Sequence, residues 1–489
     1  DNITNIKNAM NNNFDIKIKE FRLRGQDIHA GVVYIESLVN EDMILQHIVN
    51  PLMIESSLII DKDDPILFKT IIDSMVIAEY VKVVESLDEI IFAIMSGDTF
   101  LCIQGYDKGF IISTRKYVGQ VGEPILEPSV QGSQESFTET IKDNIGLIRR
   151  RLRDPNLVFN VHKLGRRTQL EVVVIYIKDI ANQNIVDEVI RRISSLDIEG
   201  VHNAAQLGLH ITDSPNSIFP LFQVTERPDR TVRGLMEGRV AILVEGGSRA
   251  LLVPVTLPLQ VQSVDDYYEN WIVGSILRIS RYVGLFISSF LPAIYIAVTS
   301  HHPGMLPTIL VLTIAGSRAG MPFPGFLEAI LMEVTIAMLQ EASIRLPRVV
   351  GQTVSIVGGL VVGQAAVQAG IVGPIMVIIT ALTAIGSFTI PDYSLSLATR
   401  AIRIPFMVLA ATLGIFGVSM GMLLLLIYIA DLKSFGVRYI RPLSPYRSSD
   451  LKQTLISSKE RSMVDRPIFL NPGDKQKQSN AKRGDGDGQ

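Results

Sequence analysis

Val33-Tyr34-Ile35-Glu36-Ser37-Leu38-Val39-Asn40 and Ile175-Tyr176-Ile177-Lys178-Asp179-Ile180-Ala181-Asn182 are two versions of one pattern, 142 residues apart. Each opens with a β-branched and aromatic run that suits a strand, and each ends on an asparagine placed to cap the helix that follows. Ile44 and Ile48 continue the first copy and Val186 and Ile190 the second, which gives each helix one apolar face. Further on, Gly97-Asp98-Thr99-Phe100-Leu101-Cys102-Ile103-Gln104-Gly105 is echoed by Gly238-Arg239-Val240-Ala241-Ile242-Leu243-Val244-Glu245-Gly246, at an offset of 141. Apolar returns at 109–112 and 250–253 make each of these a β-hairpin, turning at Gly105 and at Gly246-Gly247. An internal repeat of this kind predicts two similar α/β subdomains.

Between them, 117–136 is rich in Gly, Pro and Ser, and Phe137 to Asp154 has a helical pattern that Pro155 ends. The run Arg149-Arg150-Arg151-Leu152-Arg153 could meet phosphate or lipid head groups, but it suits better a solvated helix end that complements the dipole. No glycine cluster has phosphate-loop spacing, and His29, His47, His162, His202 and His210 lack metal-ligand spacing. Neither a Ser-His-Asp nor a paired-carboxylate constellation is present, so no enzyme, cofactor or metal is expected. The single cysteine, Cys102, sits in an apolar run and reads as a small buried hydrophobe. A net charge of -3 gives no pull toward nucleic acid.

At 489 residues with 47% hydrophobic composition, the chain is apolar for a soluble protein, and its charges thin out after Arg281. Residues 263–281 read as an interfacial amphipathic helix, with Tyr267, Tyr268 and Trp271 as headgroup-level anchors. Tyr282 to Ser300 carries no charge and is long enough to span a bilayer core of roughly 30 Å. Met305 to Ser317 is apolar but short, which suits a partial element. Phe326 to Leu346 carries Glu328 and Glu333, so it either lies at the interface or turns its carboxylates to a wet cavity. Val349 to Ile390 has no charge, and Gly370, Gly373 and Pro374 divide it into two spans. In the first of these, Ser355, Gly359 and Gly363 form a small ridge, with Gln352 and Gln364 as isolated amides. Such a ridge lets helices approach closely. Alternatively, Gln352, Ser355, Gly359, Val362, Gly363 and Ala366 line a narrow conduit, with Val362 as its constriction. Ile404 to Ala430, opened by Pro405, is the last span.

The expected class is therefore tandem duplicated soluble α/β domains followed by an all-α polytopic membrane domain. The expected boundaries are a polar segment at 1–13, subdomain 1 at 14–116, linker and helix at 117–157, and subdomain 2 at 158–258. The interfacial helix at 263–281, the membrane domain at 282–432 and a tail at 433–489, disordered beyond about 471, follow. With no secretory signal read at Asp1 to Asn13 and a basic tail, the soluble half is expected on the cytoplasmic side. An even number of crossings follows, and four spans satisfy it, although Arg400 and Arg403 then fall on the outer side.

Ordered blocks from Phe14 to Pro445 carry a resemblance. They include Phe137-Thr138-Glu139-Thr140, Glu226-Arg227-Pro228-Asp229-Arg230, Asp265-Asp266-Tyr267-Tyr268-Glu269, Glu328-Ala329-Ile330-Leu331-Met332-Glu333, Gly363-Gln364-Ala365-Ala366-Val367, Ile390-Pro391-Asp392-Tyr393-Ser394 and Ser434-Phe435-Gly436-Val437. In these the chain resembles the A subunits of the GerA family of spore germinant receptors. One departure is Gln131-Gly132-Ser133-Gln134-Glu135, where relatives tend to have Arg-Gly-Pro-Arg-Glu. The resemblance implies a receptor of the spore inner membrane in which the A subunit works with a transporter-like B subunit that senses the nutrient and a lipoprotein C subunit. It further implies that A subunits form a homo-oligomeric ring, a pentamer, whose channel releases monovalent cations when nutrient binds. A secondary transporter, a non-conducting membrane scaffold and an accessory paralogue of the dipicolinic-acid channel are the competing readings. Membrane transporters often show inverted repeats, and the repeat here is in the soluble half.

Overall fold

The computed structural model describes residues 2–23, 28–55, 81–116 and 121–443, and in the tail 466, 470, 472–474 and 476. The chain forms two compact units. The first comprises 1–215, 222–254 and 463–489, the second 216–221 and 255–462.

The first unit is built on two five-stranded antiparallel sheets. Strands β1 (Ile16–Arg22), β2 (His29–Ile35), β3 (Val81–Val84), β4 (Asp98–Ile103) and β5 (Gly109–Ser113) lie in the order β1-β2-β4-β5-β3. Strands β6 (Leu157–Leu164), β7 (Leu170–Ile177), β8 (Gln223–Thr225), β9 (Val240–Val244) and β10 (Ala250–Val253) repeat it as β6-β7-β9-β10-β8. The repeat extends to local detail. Val33 pairs with Phe100 in the first sheet and Val174 with Ile242 in the second. Asn40 Oδ1 accepts from the backbone N–H of Asp42 and Met43 at the start of its helix, and Asn182 Oδ1 accepts from Asn184 N–H at the start of its own. Both hairpins turn through a glycine at positive φ, Gly105 and Gly246, where a side chain would be strained.

Period-two alternation sends side chains to both faces of each sheet. In the first, Val32 and Tyr34 pack with Ile44, Ile48 and Leu52 from α2 (Glu41–Ile44) and the π-helical turns that prolong it to Glu55. Val33 and Ile35 pack on the opposite face with Ile90 and Ile94 of α3 (Leu87–Met95), and with Ile6 and Met10 from and just after α1 (Asn2–Ala9). The N-terminal segment, polar in composition, therefore contributes core residues, with Ile3 packed beside Ile6 and Met10. In the second sheet, α4 (Ile141–Arg151) supplies Ile141, Ile145 and Ile148, and α7 (Pro228–Met236) Val232 and Leu235. Helices α5 (Gln183–Ser195) and α6 (Ala204–Ile211) bury one apolar face each.

The arginine run differs from the solvated end that its composition suggests. Arg149 has 0% exposure, pairs with buried Asp15 through bonds of 3.1 and 3.2 Å, and lies 4.5 Å over the Phe159 ring. Arg151 is tied to Glu135 and Ser133. The linker, though irregular, is pinned: Glu226 accepts from Leu126 and Glu127 N–H, while Glu127 is bound by Arg227, Arg230 and Thr225. Most of the tail beyond about 471, where disorder is expected, lies outside the described residues. Leu470 is buried, and Gly473 and Asp474 N–H donate to the carbonyls of Ile180 and Asp179.

The second unit is helical: α8 (Leu257–Val261), α9 (Trp271–His301), α10 (Thr308–Arg318), α11 (Gly325–Arg345), α12 (Arg348–Gln368), α13 (Pro374–Phe388) and α14 (Tyr393–Asp431). Among the described residues, α9 and α14 are long and apolar enough to cross a membrane, α14 with a break at Gly414, and α10 and α13 are shorter apolar helices. Two boundaries correct the expected ones. The interfacial helix and first span are one continuous helix from Trp271, because nothing between Trp271 and Leu291 interrupts the backbone ladder; only Val264–Tyr267 forms a separate 3-10 turn. Pro405 lies inside the helical segment that begins at Tyr393 rather than opening one, and α14 is two segments that break at the non-helical Gly414, at φ +63°, after which the chain packs back so closely that a Cβ on Gly417 would stand 2.5 Å from the Leu409 carbonyl. Packed membrane helices tolerate an internal proline because neighbours re-satisfy the freed backbone group. Helices α9 and α13 cross where Gly284 faces Gly386, and a Cβ on Gly386 would stand 2.8 Å from the Gly284 carbonyl. After α14, β11 (Lys433–Ser434) and β12 (Val437–Arg438) form a hairpin, and Ser434 Oγ accepts from Val255 N–H.

Candidate functional site

Five residues along an α-helix is about 500° of rotation, so Glu328 and Glu333 point about 140° apart on α11 and meet different neighbours. Glu328, 1% exposed, accepts from Gly373 N–H at 2.9 Å, which caps α13, and Arg318 stands 3.6 Å from its other oxygen. Glu333 is gripped by Arg403 of α14, whose Nε also donates to the Ser288 carbonyl of α9 at 2.7 Å. Both carboxylates face inward, and each has a guanidinium partner, the arrangement that lets charge persist in an apolar medium. Glu341, by contrast, pairs with Arg345 one turn on, at the exposed end of α11.

Helix α12 holds the candidate conduit residues. Gln352 and Ser355 are helical, and their side chains lie outside the described residues. A Cβ on Gly359 would meet nothing within 4 Å, Val362 is 37% exposed, and the nearest neighbour of a Cβ on Gly363 would be Val377 at 3.9 Å. Ala366 packs against the helical core. Gly358 makes the close approach to α11, since a Cβ there would lie 2.8 Å from Leu339 Cδ2. Among the described residues, then, Gly359 and Val362 are left open while Gly358 is packed against α11.

At the start of α9, Asp266 is fully buried and binds both Arg278 and Arg281. Arg278 lies 5.5 Å over the Tyr267 ring, whose hydroxyl donates to Gln262 at 2.6 Å. Tyr268 and Trp271 are exposed, at 46% and 39%. Among the described residues no cluster of three or more metal-ligating side chains occurs. The sequence reading missed Arg403, Arg318 and Asp266 as partners. The available signal was that carboxylates on α11 need cations, and Arg318, Arg400 and Arg403 are among the few charged residues in that stretch.

Sequence comparison gives the same organisation a set of relatives. The family described as "Bacillus/Clostridium GerA spore germination protein" matches residues 4–469. "Spore germination protein B1" of Bacillus subtilis (strain 168) is 38% identical over 97% of this chain and 97% of its own. "Spore germination protein GerLA" of Bacillus cereus is 37% identical over 96% of this chain and 95% of its own. "Uncharacterized membrane protein YfkQ" of Bacillus subtilis (strain 168) is 36% identical over 96% of this chain and 90% of its own.

Proposed function

The chain belongs to the GerA family of spore germination proteins, and from that premise we propose that it is the A subunit of a spore germinant receptor, acting in the spore membrane. In this reading copies of the chain form a ring, a pentamer, through which monovalent cations leave when a transporter-like B subunit binds nutrient, with a lipoprotein C subunit completing the receptor. The soluble half stands on the cytoplasmic side, in the spore core, and its paired subdomains couple neighbouring subunits.

The observation that carries the channel reading is the uncovered ridge of α12. Among the described residues nothing stands within 4 Å of a Cβ on Gly359, which leaves that part of the small-residue face open to another chain. A ring would turn Gln352, Ser355, Gly359, Val362 and Gly363 toward a shared axis, with Val362 as the narrowing, while Ala366, packed against the helical core, falls away from it. The inward carboxylates Glu328 and Glu333 then act in holding α11 in place behind α12 rather than in contacting ions. Tyr267, Tyr268 and Trp271 anchor the membrane boundary.

The test is cation efflux from liposomes holding the chain with its cognate subunits, comparing native protein with Val362→Ala and Gln352→Leu. Altered or nutrient-independent flux supports α12 as the conduit. Native flux that neither substitution changes rejects that assignment, and no flux from a correctly assembled complex rejects the channel.

A further inference from the structure

Behind the Glu333–Arg403 pair lies a cavity of single-water size, lined by Glu333 and Gln340 of α11, Thr380 and Ser387 of α13, and Arg400 and Arg403 of α14. Its polar groups do not balance. Arg403 is 3% exposed; its Nε and Nη1 are used by Ser288 and Glu333, and its buried Nη2 has no hydrogen-bond partner. Gln340 Oε1 is likewise buried and unpaired. Arg400 makes no hydrogen bond or ion pair among the described residues. Two guanidiniums thus face one carboxylate, and that carboxylate is already bound. Arg400 is half-buried, so its charge is partly desolvated without a counter-ion of its own, and the orphaned Arg403 donor and Gln340 acceptor add to the imbalance.

We propose that this cavity binds one small monovalent anion of halide size. Arg403 Nη2 and the Arg400 guanidinium supply charge-assisted donors. The Gln340 amide, turned over so that its NH2 faces the cavity, supplies a third donor and removes the orphaned oxygen; the two amide orientations are nearly isosteric. The Thr380 and Ser387 hydroxyls, now donating to the carbonyls of Met376 and Ala384, complete the wall. The anion neutralises the excess charge and joins α11, α13 and α14 at one point. A single water in the same place would satisfy Arg403 and Gln340 but leave the charge standing. The site does not depend on conduction through α12.

The experiment uses the full chain in lipid nanodiscs, with thermal unfolding followed in sodium chloride against sodium gluconate at matched ionic strength. The native midpoint is expected to rise saturably with chloride, by roughly 3–5 °C at tenfold over half-saturation, with bromide able to replace chloride. Gln340→Leu and Arg400→Gln should flatten that dependence, while Arg345→Gln, at the exposed end of α11, should leave it intact. If Arg400→Gln does not fold, Thr380→Val with Gln340→Leu carries the test. A midpoint indifferent to chloride overturns the proposal, whether water or a neighbouring subunit's carboxylate fills the place. So does a chloride dependence that survives these substitutions, which would locate it elsewhere.

Discussion

Replacing Asp15 with Asn preserves its volume and removes its charge, which strands the Arg149 guanidinium at 1% side-chain exposure with no carboxylate. Removing one partner of a buried ion pair costs about 3–5 kcal/mol. Arg149 fits that case because its Nη1 already lacks a hydrogen bond, so nothing nearby can take over the role of the carboxylate. The pair joins the start of β1 to α4 and, through the Phe159 ring, to β6, so the loss falls on the seam between the two sheets. Amide hydrogen exchange on the full chain reads it locally: protection in Ile16–Arg22 and Leu157–Leu164 should fall roughly a hundred- to three-thousand-fold, at about 1.4 kcal/mol per decade. The double substitution Asp15→Leu with Arg149→Met should recover most of the protection, since a buried pair replaced by apolar side chains is often neutral. A loss under tenfold for Asp15→Asn, or a double variant as weak as the single one, would refute the assignment of this stability to the charge pair.

Gly146→Ala on α4 should destabilise by about 1–2 kcal/mol despite the gain in helix propensity, because its Cβ would stand 2.7 Å from the Ser37 carbonyl, a backbone atom that cannot swing away; thermal unfolding of the full chain checks the sign. Glu328→Leu should weaken the helical unit more than Glu328→Gln, since Gln can still accept from Gly373 N–H and Leu leaves it unpaired, and unfolding midpoints in nanodiscs give the order. Burial holds the His162 imidazole below the ordinary histidine value. The unfolded chain therefore takes up its proton near pH 6.5 and the folded one only lower, so this contribution is complete above about pH 6.5 and lost as pH falls. Denaturation at pH 7.5 and 5.5 should show a decline that His162→Gln reduces.

The repeated soluble architecture was legible because its signals are local. A β-branched run, a capping asparagine and a glycine hairpin each act over a few residues, and Asn40 and Asn182 make the bonds their positions imply. Arg149 was not legible: its neighbours in sequence are three more arginines, and what buries it is Asp15, 134 residues away. The same holds for Arg403, which reads as a flanking charge until α11 places Glu333 against it. Pro405 misled for a different reason. Proline ends an isolated helix, but α14 is packed along α9, and that packing outweighs one missing hydrogen bond.

Asn13 covers part of a sheet edge. Its Nδ2 donates to the Leu157 carbonyl at 2.9 Å and its Oδ1 accepts from Phe159 N–H at 2.8 Å, so one side-chain amide occupies the place of a peptide group beside edge strand β6. Asn11 extends the cover to the Pro155 carbonyl. The leading half of that edge is thereby closed to backbone pairing, which leaves Val161 to Leu164 as its uncovered remainder. Any further strand joining the second sheet at β6 would first have to displace the N-terminal segment, so the outer boundary of that sheet is tied to the docking of residues far ahead of it in the chain.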